Sequence, residues 1–244
     1  MRGFFPRIYL QSIYLFIMPI TLPEFIVPES ENAARAVQNE LRDRLVLQDE
    51  FGELNIIAGV DVGYDTKRNL AHASIVTMSP IDLKPLEQVE AFVPADFPYI
   101  PGLLSFREIP AILAALAKLK AVPDLLMVDG QGIAHYRRVG IAAHLGIILD
   151  IPSIGVAKSR LSGSFVMPGF NKGDYSPLMI GEERIGTVLR SKDKVKPLFI
   201  SPGHRVNVQS ALNITLQCLT KYRLPEPTRM ADKFSKCKPG FKKY

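Results

Sequence analysis

The spacing of apolar residues divides the first half of the chain into one helix and a group of strands. Within Ser30–Asp49, the residues Ala34, Val37, Leu41 and Leu45 recur at intervals of three and four, which is the spacing of an amphipathic helix. The next three apolar or alternating segments are joined by short connections and predict an antiparallel meander. They are Leu54–Val62, Ala71–Met78 and Leu86–Val93.

The second half of the chain changes to an alternation of helices and short strands. The predicted helices are Ser105–Leu119, Arg137–Leu149, Val206–Tyr222 and Thr228–Lys236. The predicted strands are Leu125–Asp129, Ser153–Val156, Arg184–Leu189 and Leu198–Ser201. A long loop is expected over Ser162–Pro177. This order of elements predicts a single α/β domain with a mixed sheet and flanking helices.

Composition and charge narrow the class of protein. Of the 244 residues 47% are apolar and 22% are charged, which excludes a disordered or fibrous chain. The net charge is +6, and Lys221–Tyr244 alone contains eight basic and two acidic residues. Such a segment either forms a solvated face or contacts phosphates, and charge alone leaves both open.

Cys218 and Cys237 fit neither a zinc site nor a disulfide framework, so we expect a cytoplasmic protein with reduced thiols.

The start of the chain contains an apolar run, Ile8–Ile20, that follows Arg2 and Arg7. It resembles a signal peptide, but Gln11 and Ser12 interrupt it and it is too short to span a bilayer. We interpret it as an N-terminal extension, either non-native or from an upstream start, rather than as a targeting segment.

Two aspartates lie where apolar strands would bury them. Asp61 is flanked by Val60 and Val62, and Asp129 ends the run LLMVD. A buried carboxylate without a partner is costly. If their strands are parallel neighbours, both carboxylates reach one ion at the carboxyl ends of the strands, and oxygen ligands suit Mg²⁺ or Mn²⁺. Alternatively Asp61 caps a turn and Asp129 caps a helix, which is plausible for either residue alone but less so for both.

A proline-bounded loop, Pro98–Gly102, precedes the helix that contains Glu108. The prolines restrict the backbone and present Tyr99 on a stiff tip, where the ring either stacks on a base or packs against its own loop. Glu108 is either a third metal ligand or a charge favoured near a helix start.

Polar and glycine residues follow the predicted strands Leu125–Asp129 and Ser153–Val156. Gly130 and Gly132 permit close approach of a flat ligand or form a tight turn. The cluster His135–Arg138 is able to contact phosphate. Lys158 follows the strand Ser153–Val156 and faces either the same pocket or solvent.

With these residues in place, the sequence resembles the endonuclease V family of deoxyinosine-directed endonucleases. The segments that carry the resemblance occur in the expected order and cover roughly Leu54–Asp232. They are GVDVGYD (59–65), PYIPGLLSFRE (98–108), PDLLMVDGQGIAHYRRVGIAAHLG (123–146), PSIGVAKSRL (152–161), SPGHRV (201–206) and YRLPEPTRMAD (222–232). The resemblance implies a ribonuclease-H-like fold and Mg²⁺-dependent hydrolysis, with Mn²⁺ as a substitute. It places the cut at the second phosphodiester bond 3′ to inosine and implies 3′-hydroxyl and 5′-phosphate ends.

The resemblance also implies roles for particular residues. The implied metal ligands are Asp61, Glu108, Asp129 and Asp232, and these four together with Lys158, at the scissile phosphate, form the expected catalytic set. Tyr99 matches a wedge that fills the gap left by an extruded base. The other expected substrate contacts are Pro98, Ile100, Pro101, Gly102, Leu104, Gly130, Gly132, His135, Arg137 and His204. Some members carry histidine at the position of Asp232, and an aspartate makes the site more negative; the role of Gln131 stays open.

The expected partner is DNA with deoxyinosine or another deaminated base, with inosine RNA as a second substrate. No membrane association is expected, and the protein is expected to be a monomer. The expected division of the chain is an extension at 1–20, a catalytic domain at 21–237 and a basic tail at 238–244. One alternative is a non-catalytic inosine-binding protein of the same fold. The other is an actin-like or sugar-kinase ATPase, suggested by DVGYDT but disfavoured by the short chain.

Overall fold

The computed structural model describes residue 20, residues 22–236 and the backbone of residues 241–242. The extension expected at 1–20 and the tail expected at 238–244 therefore lie almost wholly outside the described residues. The helices are α1 (Glu31–Arg42), α2 (Leu104–Leu116), α3 (Ile141–Leu149), α4 (Val208–Gln217) and α5 (Glu226–Ser235). The strands are β1 (Ile57–Asp65), β2 (Leu70–Met78), β3 (Pro85–Pro94), β4 (Leu125–Val128), β5 (Ser153–Ala157), β6 (Tyr175–Ile180), β7 (Glu183–Leu189), β8 (Leu198–His204) and β9 (Phe241–Lys242).

One mixed sheet organises the molecule. Its strand order is β3-β2-β1-β4-β5-β8-β7-β6, and β9 pairs with the end of β1. The first three strands form the predicted antiparallel meander. β1, β4 and β5 are parallel neighbours, and β8 joins β5 antiparallel. The predicted α/β domain with a mixed sheet is therefore confirmed.

The two faces of β1 are covered by different helices because side chains alternate along a strand. Val60 and its neighbours on one face pack against Ile112 of α2 and Leu145 of α3. On the other face Ile57 belongs to a core that includes Leu212 of α4. Burial of both faces explains why the central strands read as nearly continuous apolar runs.

Helix α5 lies directly on β1 because two glycines leave room for its backbone. A Cβ atom at Gly59 would lie 2.0 Å from the carbonyl oxygen of Pro227, and one at Gly63 would lie 2.7 Å from that of Ser235. Both ends of α5 therefore contact the strand, on the face that Asp61 shares with the two glycines.

Several element boundaries differ from the prediction. The helix predicted from Arg137 begins at Ile141, because Gly140 N–H bonds to the carbonyl of Gly132 and the segment before it forms a loop. Helix α1 ends at Arg42 rather than Asp49. Strand β6 begins inside the expected loop; its Pro177 is tolerated because β6 is an edge strand. None of the helices in the described ranges is long and apolar enough to cross a membrane.

Candidate active site

Three aspartates from different elements form an acid cluster. Asp61 lies on β1, Asp129 follows β4 and Asp232 lies on α5. A carboxylate oxygen from each lies within 4.8 Å of the other two. The acid cluster therefore brings together three of the four residues expected to bind metal.

Parallel pairing explains why Asp61 and Asp129 meet. Ile57 of β1 pairs with Leu125 of β4, and the register continues to Val60 opposite Val128. The backbone N–H of Asp129 then donates to the carbonyl of Val60 at 2.9 Å. The two strands are parallel neighbours, which was the condition for both carboxylates to reach one ion.

Helix α5 supplies more than Asp232. One turn later the buried hydroxyl of Ser235 donates a hydrogen bond to Asp61 Oδ2. Ser235 was not predicted, because a serine near the end of an amphipathic helix carries no signal of its own. Its spacing of three from Asp232 is the one clue, since residues three apart share a helix face.

Two lysines compensate part of the negative charge. Lys158 Nζ lies 2.6 Å from Asp129 Oδ2 and also pairs with Asp232 Oδ1, and Lys236 Nζ lies 2.7 Å from the same Asp232 oxygen. Burial raises the pKa of Asp232, but the hydrogen bonds from Lys158 and Lys236 outweigh burial and hold it below its usual value. Asp232 is therefore ionised at neutral pH.

The acid cluster fits a divalent cation. Three carboxylates against two ammonium groups leave a net negative charge in a site where Asp61 is buried. Its oxygen donors are the ligands that hard cations prefer, and neither cysteine nor histidine belongs to this cluster. Asp61, Asp129 and Asp232 could therefore hold a metal ion.

Glu108 occupies a different position from these three acids. It is buried on α2 and accepts a hydrogen bond of 3.1 Å from the hydroxyl of Tyr64. It is not among the carboxylates that lie within 4.8 Å of one another. It instead lines the cavity beside the acid cluster, together with Asp129 and Lys158. Its role as a metal ligand stays a prediction.

A cavity of about 320 Å³ opens next to the acid cluster. The predicted site residues in its wall are Tyr99, Ile100, Pro101, Gly102, Leu104, Glu108, Asp129, Gly130, His135 and Lys158. The wall residues that were not predicted to bind substrate are Gln38, Ser105, Gln131, Val139, Gly140, Ile141, Ala157, Ser159, Arg160 and Leu161. The Tyr99 side chain is 53% exposed, so its ring is accessible at the edge of this cavity.

A polar network fixes the wall of the cavity. Gly102 adopts φ +81°, and its carbonyl accepts hydrogen bonds from Gln38 Nε2 at 3.0 Å and from Arg137 Nη2 at 2.9 Å. His135 Nε2 lies 3.0 Å from the same oxygen. Gln38 is fully buried, donates to the carbonyl of Val139 at 3.1 Å and accepts from Arg137 Nε at 2.6 Å. These bonds connect helix α1 to two loops of the cavity wall, one that contains Gly102 and one that contains Arg137 and Val139.

His135 is neutral in this network. Burial lowers its pKa to about 4, the charge of Arg137 acts in the same direction, and the bond to the carbonyl of Gly102 opposes them. Its Nδ1 accepts from the backbone N–H of Arg137 at 3.2 Å, so Nε2 carries the proton that bonds to Gly102.

Four of the expected substrate residues are not in the cavity wall: Arg137 bonds to the wall at the carbonyl of Gly102, and the other three lie elsewhere. His204 is buried at the end of β8, beside Asp150 at 3.3 Å, and is not in the cavity wall. Gly132 is packed against the backbone of Pro202. Pro98 is exposed and outside the wall, next to Tyr99. Their contacts with substrate stay predictions.

The fold and the acid cluster define a class of protein. A mixed sheet whose neighbouring parallel strands present carboxylates at one edge, beside a cavity, is a ribonuclease-H-like architecture with a candidate metal centre. Such sites suit the hydrolysis of phosphodiester bonds.

Comparisons with known proteins identify the family. The sequence model of the Endonuclease V family matches residues 39–233. Endonuclease V of Azotobacter vinelandii is 52% identical over 202 residues, which cover 83% of this chain and 91% of the relative. The crystal structure of Endonuclease V from Streptomyces avermitilis matches with a TM-score of 0.81 at 42% identity, covering 89% of this chain and 96% of that one. The chain belongs to the endonuclease V family and is a DNA-cleaving hydrolase.

A further relative was solved with nucleic acid. Endonuclease V of Ciona intestinalis, in complex with a 24mer DNA containing an inosine followed by a ribo-adenosine, matches with a TM-score of 0.71 at 29% identity. The match covers 82% of this chain and 94% of that one.

Proposed function

We propose that this chain is a Mg²⁺-dependent endonuclease of DNA repair. It recognises deoxyinosine or another deaminated base and hydrolyses the second phosphodiester bond on its 3′ side. The observation that carries the proposal is the junction of Asp129 with Gly130: one residue belongs to the acid cluster and the next lines the cavity. When a base occupies the cavity, the strand to which it belongs would therefore lie beside the carboxylates. The inosine-containing DNA bound to the Ciona relative supports this choice of substrate.

Asp61, Asp129 and Asp232 would hold Mg²⁺, with Mn²⁺ as a substitute, because their oxygens converge. When bound, the ion lowers the pKa of a water and polarises the phosphoryl group. Glu108 lines the same cavity and would orient the attacking water, from which a carboxylate can accept a proton.

The bond change is a simple hydrolysis. The water oxygen forms a bond to phosphorus while the bond from phosphorus to the 3′ oxygen breaks. Lys158, whose ammonium lies at the acid cluster, offsets the charge that develops on the phosphate. The products are a 3′-hydroxyl and a 5′-phosphate.

Base recognition is assigned to the cavity. Extruding a base costs least where pairing is already weakened, as it is at a deaminated base. Tyr99 is exposed beside the cavity and would fill the gap left in the stack. Backbone groups of the wall would read the 6-oxo edge, and adenine would leave buried polar groups unpaired.

The proposal includes several finer points. Inosine in single-stranded RNA is a second substrate of the same cavity, and the protein acts as a monomer in the cytoplasm. The three aspartates of the acid cluster converge and Lys158 contacts the cluster, which favours an enzyme over a non-catalytic inosine-binding protein.

Nicking of inosine DNA by Asp61→Asn and Asp129→Asn tests the proposal. Each variant should lower the single-turnover rate by about 10³-fold or more, because each removes a ligand charge from the site. The matched control is Asp65→Asn, since Asp65 is also a buried acid on β1 but bonds to Arg68. It should retain most activity.

A second measurement separates metal binding from chemistry. Mn²⁺ should raise the melting temperature of the wild type and of Asp65→Asn, but not that of Asp129→Asn, because a ligand that binds only the folded state stabilises it. Full activity in either cluster variant contradicts the proposal. Binding of inosine DNA without any nicking by the wild type would instead support the non-catalytic alternative.

A further inference from the structure

We infer that three hydrogen-bonded loops form a basic surface that binds the phosphates of the DNA strand on the 3′ side of the cut. These loops, residues 168–174, 190–197 and 219–223, are called the basic platform. The inference rests on the proposed function, because the direction of the strand follows from the proposed position of the cut.

The basic platform is a connected structure rather than three separate loops. Lys194 N–H donates to the carbonyl of Phe170 at 2.9 Å, and Gly173 N–H donates to that of Arg190 at 2.8 Å. Lys172 Nζ reaches the carbonyl of Thr220 at 2.8 Å. These bonds link the first loop to the other two, so that the three loops present their side chains from one surface.

A buried arginine braces the basic platform from inside. Arg190 is 5% exposed, and its guanidinium donates to the carbonyls of Gly169 at 2.8 Å and Pro168 at 3.1 Å. It also donates to the carbonyl of Val195. Its charge is therefore committed to the loops themselves, and the exposed cations of the basic platform are other residues.

The charge of the basic platform is strongly positive. The three loops contain seven basic and two acidic residues. Both acids bond to backbone N–H groups, Asp193 to that of Lys172 and Asp174 to that of Asn171. Three exposed lysines of the middle loop, residues 190–197, form no ion pair within the described part of the chain. These are Lys192, Lys194 and Lys196.

Arg223 connects the basic platform to the active site. Its Nη2 donates to the backbone carbonyl of Lys158 at 2.9 Å, and its Nε donates to that of Lys196 at 2.8 Å. The ammonium of the same Lys158 lies on the acid cluster. A strand that leaves the acid cluster past Lys158 therefore meets the basic platform next. Since the cut lies 3′ to the base in the cavity, this outgoing strand is the 3′ side.

Exposed aromatic rings beside cations complete the surface. The Tyr222 side chain is 42% exposed, with Arg229 Cζ at 4.3 Å and Lys221 Nζ at 5.5 Å from its ring centroid. The Phe170 side chain is 70% exposed. Aromatic rings within a positively charged track are the combination that binds nucleic acid strands without reading their sequence.

A triple variant, Lys192→Ala, Lys194→Ala and Lys196→Ala, tests the basic platform. Its affinity for a duplex with one central inosine is measured in EDTA at several salt concentrations. Each lost phosphate contact removes about 0.9 from the slope of log affinity against log salt, so the slope should fall by about 2 to 3 units. The matched control replaces three exposed lysines at the β3 edge of the sheet, Lys84, Lys118 and Lys120. It should leave the slope unchanged.

Truncated duplexes test the direction of the strand. Shortening the 3′ flank to roughly two nucleotides beyond the cut should weaken binding by the wild type about tenfold or more, and the triple variant much less, because it lacks the contacts that are lost. Shortening the 5′ flank should affect both proteins equally. An unchanged salt slope in the triple variant, or a difference confined to the 5′ flank, would overturn the inference.

The same experiment keeps the two proposals distinguishable. Nicking of the full-length duplex by the wild type in Mg²⁺ tests the proposed function, whatever the triple variant does. At saturating DNA the triple variant should nick at the wild-type rate, because its lysines lie outside the acid cluster. If the wild type nicks but shows no dependence on the 3′ flank, only the inference about the basic platform fails.

Discussion

The acid cluster and the wall of the cavity adjoin each other but are built in different ways. The carboxylates are held by β1, β4 and α5, whose positions follow from sheet pairing and close helix packing. The cavity wall consists largely of loops, and hydrogen bonds from side chains to the carbonyl of Gly102 hold it to α1. The polar network of Gln38, Gly102, His135 and Arg137 is called the loop network. A change in the acid cluster should therefore alter the chemical step, whereas a change in the loop network should alter how the base is held.

The largest effect that sharpens this comparison is expected for Lys158→Met. It should lower the single-turnover rate about 10²-fold, because the positive charge proposed to act at the phosphate is lost. It should also strengthen Mn²⁺ binding in a thermal titration, since an ammonium that pairs with Asp129 and Asp232 no longer competes with the ion. Lys236→Met is the matched control, because among the described residues Lys236 forms an ion pair with Asp232 but not with Asp129. Equal loss of rate in both variants would show that Lys158 acts only by adding positive charge near the acid cluster, as Lys236 does, and not through its own position.

Gln38→Leu tests the other region. It removes two donors and one acceptor that link α1 to the cavity wall, so the wall should lose its fixed position. We expect KM for inosine DNA to rise about tenfold while kcat changes little. The cost in unfolding free energy should be about 1 to 3 kcal/mol, because buried polar groups lose their partners.

A spectroscopic readout distinguishes a positioning role for Gln38 from simple destabilisation. The sequence contains no tryptophan, so Tyr99→Trp gives a single fluorophore at the edge of the cavity. Its emission should shift when Gln38→Leu is added. It should not shift with Leu41→Ala, which weakens the packing of α1 against Val139 and Ile147 but leaves the hydrogen bonds in place. The same shift in both double variants would contradict the positioning role.

Tyr99→Ala should have a smaller effect, confined to binding. Loss of one ring that stacks in the duplex costs about 1 to 3 kcal/mol, so affinity for inosine DNA should fall while the single-turnover rate is largely retained. Tyr136→Ala is the control, since Tyr136 is also exposed but does not line the cavity. Unchanged affinity after Tyr99→Ala would reject the wedge role.

The difference between the acid cluster and the cavity wall also explains which residues could be predicted from the sequence. Asp61 and Asp129 were predicted from their strands, because an acid inside an apolar run and an acid at its end are unusual, and parallel pairing brings them together. Asp232 on α5 came from the family resemblance alone. Its approach to β1 depends on Gly59 and Gly63, and a glycine in a strand does not reveal which element will pack against it.

The hydrogen bonds of the loop network could not be predicted from the sequence, because the residues that they join are far apart in the chain. Gln38 is 64 residues from Gly102 and 101 from Val139, and a glutamine on an amphipathic helix is more often solvated than buried. Strand β6 was missed for a local reason, since Pro177 argues against a central strand but not against an edge strand. In each case tertiary position outweighed the local pattern.

The smallest expected effect concerns the charge of His135 in the loop network. Its pKa is lowered from 6.5 to about 4, mainly by burial. The unfolded chain therefore binds this proton as the pH falls below about 6.5, whereas the folded protein does so only near 4. The resulting contribution to stability is complete above that unfolded pKa and is lost as the pH falls through this window.

Urea unfolding of the wild type and of His135→Gln at about pH 7.5 and about pH 5 measures this contribution. The glutamine Nε2 can still donate to the carbonyl of Gly102 but does not titrate. The wild type should lose up to about 2 kcal/mol more than the variant between the two pH values. His144, whose pKa is lowered to about 3 by burial, is present in both proteins, so its contribution cancels. An equal loss in both would mean that His135 is not held neutral by the cavity wall, and the loop network would then have to be more open than its hydrogen bonds indicate.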